Sequence, residues 1–304
     1  MTYSMKYTLL LVFILYSSLI WPTDSIQVSD IGSSAEMIGR GNIEGFSKNA
    51  SSVFENPASL HHIQRASFST FGTRIFDEAN YANLAYSWNN KWGHFGLGHM
   101  FVYVDGVAKT TVDDNHHFIP ERYFGYRNSL TKIAYQYSIS PVLHMGSSLN
   151  FFRTQLDDIE GHGTNTDLGF LYHRRALSIS LLSKNILRPL KMTYSEGNEE
   201  SLPLQLLLSS TYRWPAVTLY GQLKKRSSHP HLLTAAGLSF HPVWLSVINL
   251  YGGIKQYDAI NQNFTTGSLG VGIQIDTWRF NYAYEKSEHP DFNNFNYFSI
   301  SWLK

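Results

Sequence analysis

A period of two residues runs along the chain from about residue 60 to its end. Segment 278–285 is the clearest case, because four aromatic side chains alternate there with four smaller or polar ones. Successive side chains of a β-strand point to opposite faces, so this pattern predicts strands with one apolar and one polar face. The same alternation occurs in 83–88, 268–275 and 298–302.

The polar faces of these segments carry few long charged side chains. They are rich in Gly, Ser, Asn, Thr and Ala, whereas a soluble β-sandwich usually presents charged residues on its outer faces. A transmembrane β-barrel has the opposite arrangement, with an apolar outside and a moderately polar inside. The pattern therefore predicts an all-β transmembrane barrel.

We expect about fourteen antiparallel strands, and their connections set the orientation of the barrel. Tight turns near 89–90, 140–141, 174–175, 214–215, 241–242 and 276–277 alternate with longer links, of which 105–128 is the longest. Outer-membrane barrels have short periplasmic turns and long outer loops. Both chain ends are therefore expected at the periplasmic side. The predicted strands are 64–74, 79–88, 93–104, 129–139, 143–153, 164–174, 177–184, 203–213, 216–224, 231–240, 243–255, 266–276, 278–286 and 294–302.

Composition agrees with this class and excludes others. Aromatic residues make up 15% of the 304 residues and charged residues also 15%, against roughly a quarter charged in an ordinary soluble protein. The chain has no cysteine, which excludes disulfides, thiolate metal sites and a cysteine nucleophile. The net charge of +1 argues against a nucleic-acid partner.

The N-terminus resembles a secretory signal peptide. Lys6 precedes a nearly continuous apolar run, 7–20, whose length suits a signal sequence better than a membrane span. We place the signal peptide at 1–25, with an uncleaved anchor as the alternative. Export in a chain without cysteine suits a bacterial envelope protein. Together with the predicted barrel, it predicts the outer membrane of a Gram-negative-type bacterium.

Residues 26–62 lack both strand and helix periodicity. They are rich in small residues and contain the strong turn signal Asn56-Pro57. The lumen of a fourteen-stranded barrel is too wide for small side chains alone to fill. We therefore expect 26–62 to fold inward as a plug, which we name the hatch, with the barrel spanning 63–304.

Two motifs in the hatch resemble the N-terminal signature of the PorV/PorQ family, a branch of the FadL-type outer-membrane barrels. They are Met-Ile-Gly-Arg-Gly-Asn at 37–42 and Asn-Pro-Ala-Ser-Leu at 56–60. Arg40 and Ser59 depart from the small residue and the glycine that are usual in the family. Further matches follow in chain order at 143–150, 167–172, 184–186, 202–204, 282–284 and 298–301, so the resemblance covers nearly all of the mature chain.

The resemblance implies two functions. PorV-like members act in type IX secretion, where they receive exported proteins at the outer membrane, and this role is our first expectation. FadL-like members are passive channels for hydrophobic small molecules, and this role is the alternative. Outer-membrane lipid is an expected partner in both cases. Secretion would add secreted proteins or other secretion components, docking on an exposed patch of 105–128, whereas uptake would add hydrophobic small molecules in an apolar pocket beside the hatch.

The candidate residues follow from these two interpretations. Arg40, Asn56, Pro57 and Ala58 are the candidates for the hatch and for ligand binding. Three charged residues on the polar faces of predicted strands should face the lumen and either form ion pairs or tune what passes. These residues are Asp167, Arg279 and Glu285.

Catalysis and metal binding are not expected. The histidine pairs 61–62 and 116–117 lack a converging set of further ligands, and the acidic residues 157–160 lack the ligand spacing of an EF-hand. No sequence signature of a barrel hydrolase accompanies the abundant Ser and His residues. We therefore predict no cofactor and no enzymatic activity, although an outer-membrane enzyme remains an alternative.

Overall fold

A computed structural model describes residues 30–75, 78–112, 117–187, 190–259, 262–288 and 294–304. The predicted signal peptide, 1–25, lies outside these residues. Among the described residues, no helix has the length and apolar character needed to cross a membrane.

Sixteen β-strands make up most of the described chain. They are numbered β1 to β16 in chain order: Ala66–Ile75, Ala79–Asn90, Gly93–Val112, Phe118–Ser140, Leu143–Leu156, Ile159–Arg174, Leu177–Lys184, Lys191–Tyr194, Glu199–Ser201, Gln205–Arg213, Val217–Arg226, Leu232–Phe240, Ile248–Ala259, Gln262–Ile275, Trp278–Ser287 and Phe295–Leu303.

Fourteen of these strands close into a barrel, as the sequence predicts. Each pairs antiparallel with its neighbours, β16 pairs with β1, and β7 pairs with β10. Strands β8 and β9 form a small hairpin that joins the outer end of β6. Closure leaves no sheet edge in the bilayer, so the backbone hydrogen bonds are satisfied without water.

The prediction of a long loop at 105–128 is wrong, because most of these residues form strands. β3 and β4 pair as far out as Val112 and Phe118, with bulges after Val104 and Lys109. The predicted links 154–163 and 256–265 are likewise mostly strand. Outside the membrane both faces of a hairpin meet water, so the amphipathic alternation that reveals a strand disappears even though backbone pairing continues.

An apolar belt surrounds the barrel. Along β14 and β15 the outward side chains include Leu269 and Phe280, 67% and 43% exposed, whereas the inward Ser268 and Asn281 are 6% and 5% exposed. The described part of the chain holds six tryptophans, at or near the tight turns or the C-terminus, where they suit the membrane interface: Trp88, Trp92, Trp214, Trp244, Trp278 and Trp302. The belt and the closed barrel place this protein in an outer membrane of Gram-negative type.

The N-terminal segment folds inside the lumen. It contains helix α1 (Ala35–Gly39) and two short 3₁₀-helices, Ala50–Val53 and Pro57–His62. Side-chain oxygens of Ser34, Asn49 and Asn56 cap these helices by accepting backbone N–H groups of the first turn. Helices of four to six residues are too short to show a hydrophobic periodicity in the sequence. Their caps and their contacts with the wall stabilise them instead. The division between hatch and barrel at residue 62 stays a proposal.

A buried ion pair links β4 to β6 inside the barrel. The ammonium of Lys132 lies 2.6 Å from the carboxylate of Asp167, and both side chains are 1% exposed. Asn150 also donates to this carboxylate at 2.8 Å, as does the backbone N–H of Asn185 at 3.0 Å. Asp167 therefore neutralises a buried lysine and fixes the chain where it leaves β7.

Replacing Asp167 by Asn should lower the free energy of unfolding by about 3–5 kcal/mol, because the Lys132 ammonium would stay buried without its counter-charge. Urea titration of the protein in lipid vesicles, followed by tryptophan fluorescence, measures the change. The double variant Lys132→Met/Asp167→Asn should recover most of the loss. Asp276→Asn, at a periplasmic turn, serves as the control; equal effects of Asp167→Asn and Asp276→Asn would contradict the prediction.

Candidate functional site

The Asn56-Pro57 turn fastens the hatch to the barrel wall. The Asn56 amide nitrogen donates to the hydroxyl of Ser180 at 2.8 Å and to the carbonyl of Phe170 at 3.3 Å. Its amide oxygen accepts the backbone N–H of Ala58 at 2.9 Å. One fully buried side chain thus shapes the turn and binds it to β6 and β7.

Glycines of the wall allow this close approach. A Cβ at Gly169 would lie 1.9 Å from the amide oxygen of Asn56, and one at Gly146 would lie 2.3 Å from the backbone nitrogen of Ala58. Both glycines face the lumen, where any side chain would overlap the turn. The absence of side chains at Gly146 and Gly169 leaves a depression in the wall, which we call the notch. The Asn56-Pro57 turn of the hatch packs into it.

Arg40 holds the hatch together from within. Its guanidinium lies 3.0 Å from Glu36 and 3.6 Å from Glu55, and it lies over the ring of Tyr220 at 5.0 Å from the centroid. The residue is 1% exposed. Burial raises the pKa of Glu55, against the opposing charge of Arg40. Arg40 thus connects two carboxylates within the hatch.

Further ion pairs join the hatch to the wall. Glu36 also pairs with Arg279 of β15 at 3.2 Å, and Glu44 pairs with Lys184 of β7. Near the outer end of the hatch, Asp30 pairs with Lys224 at 3.1 Å and with Arg226. Burial alone would raise the pKa of Asp30, but the charges of Arg226 and Lys224 outweigh it and hold the pKa below its usual range.

A cavity of about 640 Å³ lies between the outer side of the hatch and the wall. One part of its lining is apolar and comes mainly from β1, β3 and β16, including Ile75, Val102 and Phe295. The opposite part comes from β11 to β15 and carries charged groups such as Lys224 and Glu285. The cavity is therefore amphipathic, with the hatch as its floor.

Backbone pairing in the barrel wall is interrupted beside this cavity. β12 and β13 pair only between Ala235 and Phe240 on β12, so their outer ends separate. There the backbone N–H of Thr234 donates to the side chain of Gln256 at 3.2 Å. The carboxylate of Asp258 lies 3.7 Å from the ring of His229. These four residues also line the cavity, so it reaches this unpaired part of the wall, which we call the seam.

The predicted residues lie in different places relative to the cavity. Arg40, Asn56, Pro57 and Ala58 are buried in the hatch and do not appear in the cavity lining. Three residues face the barrel interior. Asp167 pairs with Lys132, Arg279 with Glu36, and Glu285 with Lys255 at 2.7 Å. Of all these residues, only Glu285 lines the cavity.

Sequence reasoning missed the charged side of the cavity. Leu219 and Leu223 of β11 point outward, at 43% and 42% exposure, so the alternation already places Lys224 and Arg226 inside. That signal could have identified them. Asp30 and Glu44 gave no such signal, because their positions depend on the irregular path of the hatch.

The histidines at the periplasmic end pack against each other. His61 stacks on His144 with ring centroids 3.8 Å apart, and His62 lies 3.7 Å from His61. Burial lowers the pKa of His61 to about 3, so its ring is neutral near pH 7. Among the described residues, no group of three or more His, Cys, Asp or Glu is arranged to hold a metal ion.

Comparison with solved structures identifies the architecture. The toluene transporter TodX of Pseudomonas putida superposes with a TM-score of 0.63 at 11% sequence identity, over 90% of this chain and 98% of that chain. A Pseudomonas aeruginosa FadL homologue gives 0.58 at 9% identity, over 88% and 97%. The toluene transporter TbuX of Ralstonia pickettii gives 0.55 at 12%, over 90% and 98%.

The barrel has the FadL-type fold. At 9 to 12% identity the likeness concerns the fold alone. No protein-family model matches the sequence, and no curated protein matches it.

Replacing Asn56 by Ala should loosen the hatch, because its bonds to Ser180 and to the β6 carbonyl would be lost together with the cap of the turn. We expect a higher leak conductance in planar bilayers. Asn263→Ala, at the outer end of β14, is the control for removal of an amide. An unchanged conductance in Asn56→Ala would refute the fastening role.

Gly169→Val should have the same effect for a steric reason, since the new side chain would overlap Asn56. Gly267→Val is the matched control, because a Cβ at Gly267 meets nothing within 4 Å. Limited proteolysis of the protein in vesicles should cleave the hatch faster in Gly169→Val than in the control. Equal cleavage rates would show that the notch does not hold the hatch.

Proposed function

We propose that this protein is an outer-membrane channel for hydrophobic small molecules and that the hatch controls passage. The observation that carries the proposal is the amphipathic cavity of about 640 Å³ between hatch and wall. Binding sites for small molecules are typically concave, largely apolar and supplied with a few polar groups, as this cavity is.

The seam between β12 and β13 supports this proposal. We propose that the wall can open here, once the hydrogen bonds from Thr234 to Gln256 break, and give the cavity a second exit beside the one along the barrel axis. The outward Leu232, 52% exposed, lies beside it at the outer end of β12. A hydrophobic molecule moving through such an opening would stay near lipid and avoid water.

The hatch supplies the barrier on the periplasmic side. Its contacts with the wall combine ion pairs, the Asn56 bonds and the notch at Gly146 and Gly169. These contacts are numerous but local, so a shift of one part of the hatch would not require the barrel to open. We propose that passage needs such a shift, with Asn56, Pro57 and Ala58 remaining attached to the wall.

The solved structures with this fold support the channel more than the alternative. Two of them are described as toluene transporters, and two deletion mutants of TodX are described as monoaromatic hydrocarbon channels. The channel was our second expectation from the sequence. The PorV/PorQ relationship and a role in protein secretion have no support among these structures and stay predictions from the motifs.

Secretion would use the outer surface instead. The long β3–β4 hairpin exposes Tyr123 at 67% and Ile119 at 44%, and a protein partner could contact it there. Affinity purification from solubilised outer membranes, with mass spectrometry of both proteins and extracted small molecules, distinguishes the two functions. Bound apolar molecules without a protein partner would support the channel, whereas specifically retained secreted proteins would support secretion.

Ala235→Trp should reduce the uptake of hydrophobic molecules several-fold, because Ala235 lines the cavity and an indole would fill part of it. Ala236→Trp is the matched control on the same strand, since this residue is exposed and its side chain points outward. Cells that depend on this channel for entry of labelled toluene or decanol provide the assay. Equal uptake by the two variants would contradict the proposed route.

A further inference from the structure

A second candidate site lies on the outside of the barrel, across β3 to β6. Cross-strand register defines it row by row. The apolar row Leu97–Ile133–Leu149 is 48%, 51% and 44% exposed and belongs to the membrane belt. The next row outward is His99–Thr131–Phe151–Thr164, followed by Phe101–Ser129–Arg153–His162. The outer face therefore changes from apolar to polar and basic within two rows.

The wall is concave at this level. Two adjoining depressions, of about 470 and 580 Å³, share His99, Ser129 and Arg153. The small hydroxyl side chains Ser129 and Thr131 line the middle of the combined groove, and larger side chains of β3 and β5 flank them. A closed barrel is normally convex outside, so a groove here depends on this arrangement of side-chain sizes.

The residues that line the groove carry more positive than negative charge. Its lining contains Arg127, Arg153 and Lys191 but one carboxylate, Asp105, together with two histidines. The Arg127 side chain is exposed. The side chains of Arg153 and Lys191 are also exposed, although each has an acidic neighbour.

Neighbouring acids orient two of these cations without covering them. The Arg153 guanidinium lies 3.3 Å from Glu160 yet its side chain is 57% exposed. The Lys191 ammonium lies 2.6 Å from Glu199 and its side chain is 42% exposed. Glu160 and Glu199 lie outside the groove lining. Both cations can therefore bind a further anion from the groove side.

We propose that this groove binds the phosphorylated headgroup of a lipid in the outer leaflet. Guanidinium and ammonium groups bind phosphate through charge-assisted hydrogen bonds. The hydroxyl and aromatic side chains suit the sugar part of a phosphorylated glycolipid. The position decides the occupant, because a headgroup held here leaves its acyl chains against the row Leu97–Ile133–Leu149. The site is separate from the lumen and does not depend on the channel function.

The test uses the full-length protein in detergent, with binding of bisphosphorylated lipid A measured by native mass spectrometry. Arg127→Gln/Arg153→Gln should weaken binding at least about tenfold, since two phosphate-binding side chains are lost. Arg74→Gln/Lys286→Gln is the matched control. It removes two exposed, outward cations from the outer ends of β1 and β15. The control should bind as the wild type does.

Two further ligands test which part of the lipid is recognised. The wild-type protein should bind lipid A from which both phosphates have been removed at least about tenfold more weakly than bisphosphorylated lipid A. Glucosamine phosphate without acyl chains should compete poorly. Equal binding by the groove variant and the control, or indifference to the phosphates, would overturn the proposal. Full competition by the soluble sugar phosphate would overturn the lipid as occupant. Heat-dependent mobility in gels verifies that each variant is folded.

Discussion

The rest of the structure depends on one constraint, that backbone polar groups in a bilayer must find their partners within the protein. Antiparallel pairing meets this constraint only if the first and last strands also pair. β1 and β16 do so over seven residues, from Ser67 to Thr73 on β1. Closing fourteen strands then creates a wide lumen as a geometric consequence. The protein's interior chemistry follows from how that lumen is filled.

Filling the lumen with chain from the N-terminus creates an unusual core. Apolar packing contributes, as in the buried cluster that contains Phe54 and Met100, but buried charges are numerous. Arg40, Lys132 and Lys184 are each almost fully buried and each has a carboxylate nearby. Removing either partner would leave a charge without compensation. The Lys184–Glu44 pair joins the hatch to the wall, whereas the cavity on the outer side of the hatch stays open.

The inward and outward faces of the barrel wall have different side chains. Inward positions are small where the hatch makes contact, as at Gly146 and Gly169, and larger or charged where they line the cavity. Outward positions meet lipid, and at the outer edge of the belt they become basic between β3 and β6. Strand residues alternate between the two faces. Ser129 therefore lies in the groove on the outer face, whereas Leu130, the next residue, is buried in the barrel interior. One strand can therefore contribute both to a lumen site and to a lipid site.

The alternating pattern by itself determined the barrel, its fourteen strands and the inward side of each strand, because lipid and lumen impose opposite polarities on adjacent residues. The order of tight turns and longer links predicts its orientation. It also suggested that residues 26–62 fill the lumen. The extended β3–β4 hairpin could not be predicted, since water on both sides removes the alternation. Only the tertiary structure decided that Arg40 ties the hatch together, that Asp30 meets Lys224, and that β12 and β13 part at Thr234. These contacts join residues distant in sequence, and the path of the hatch and the curvature of the closed wall determine where they meet.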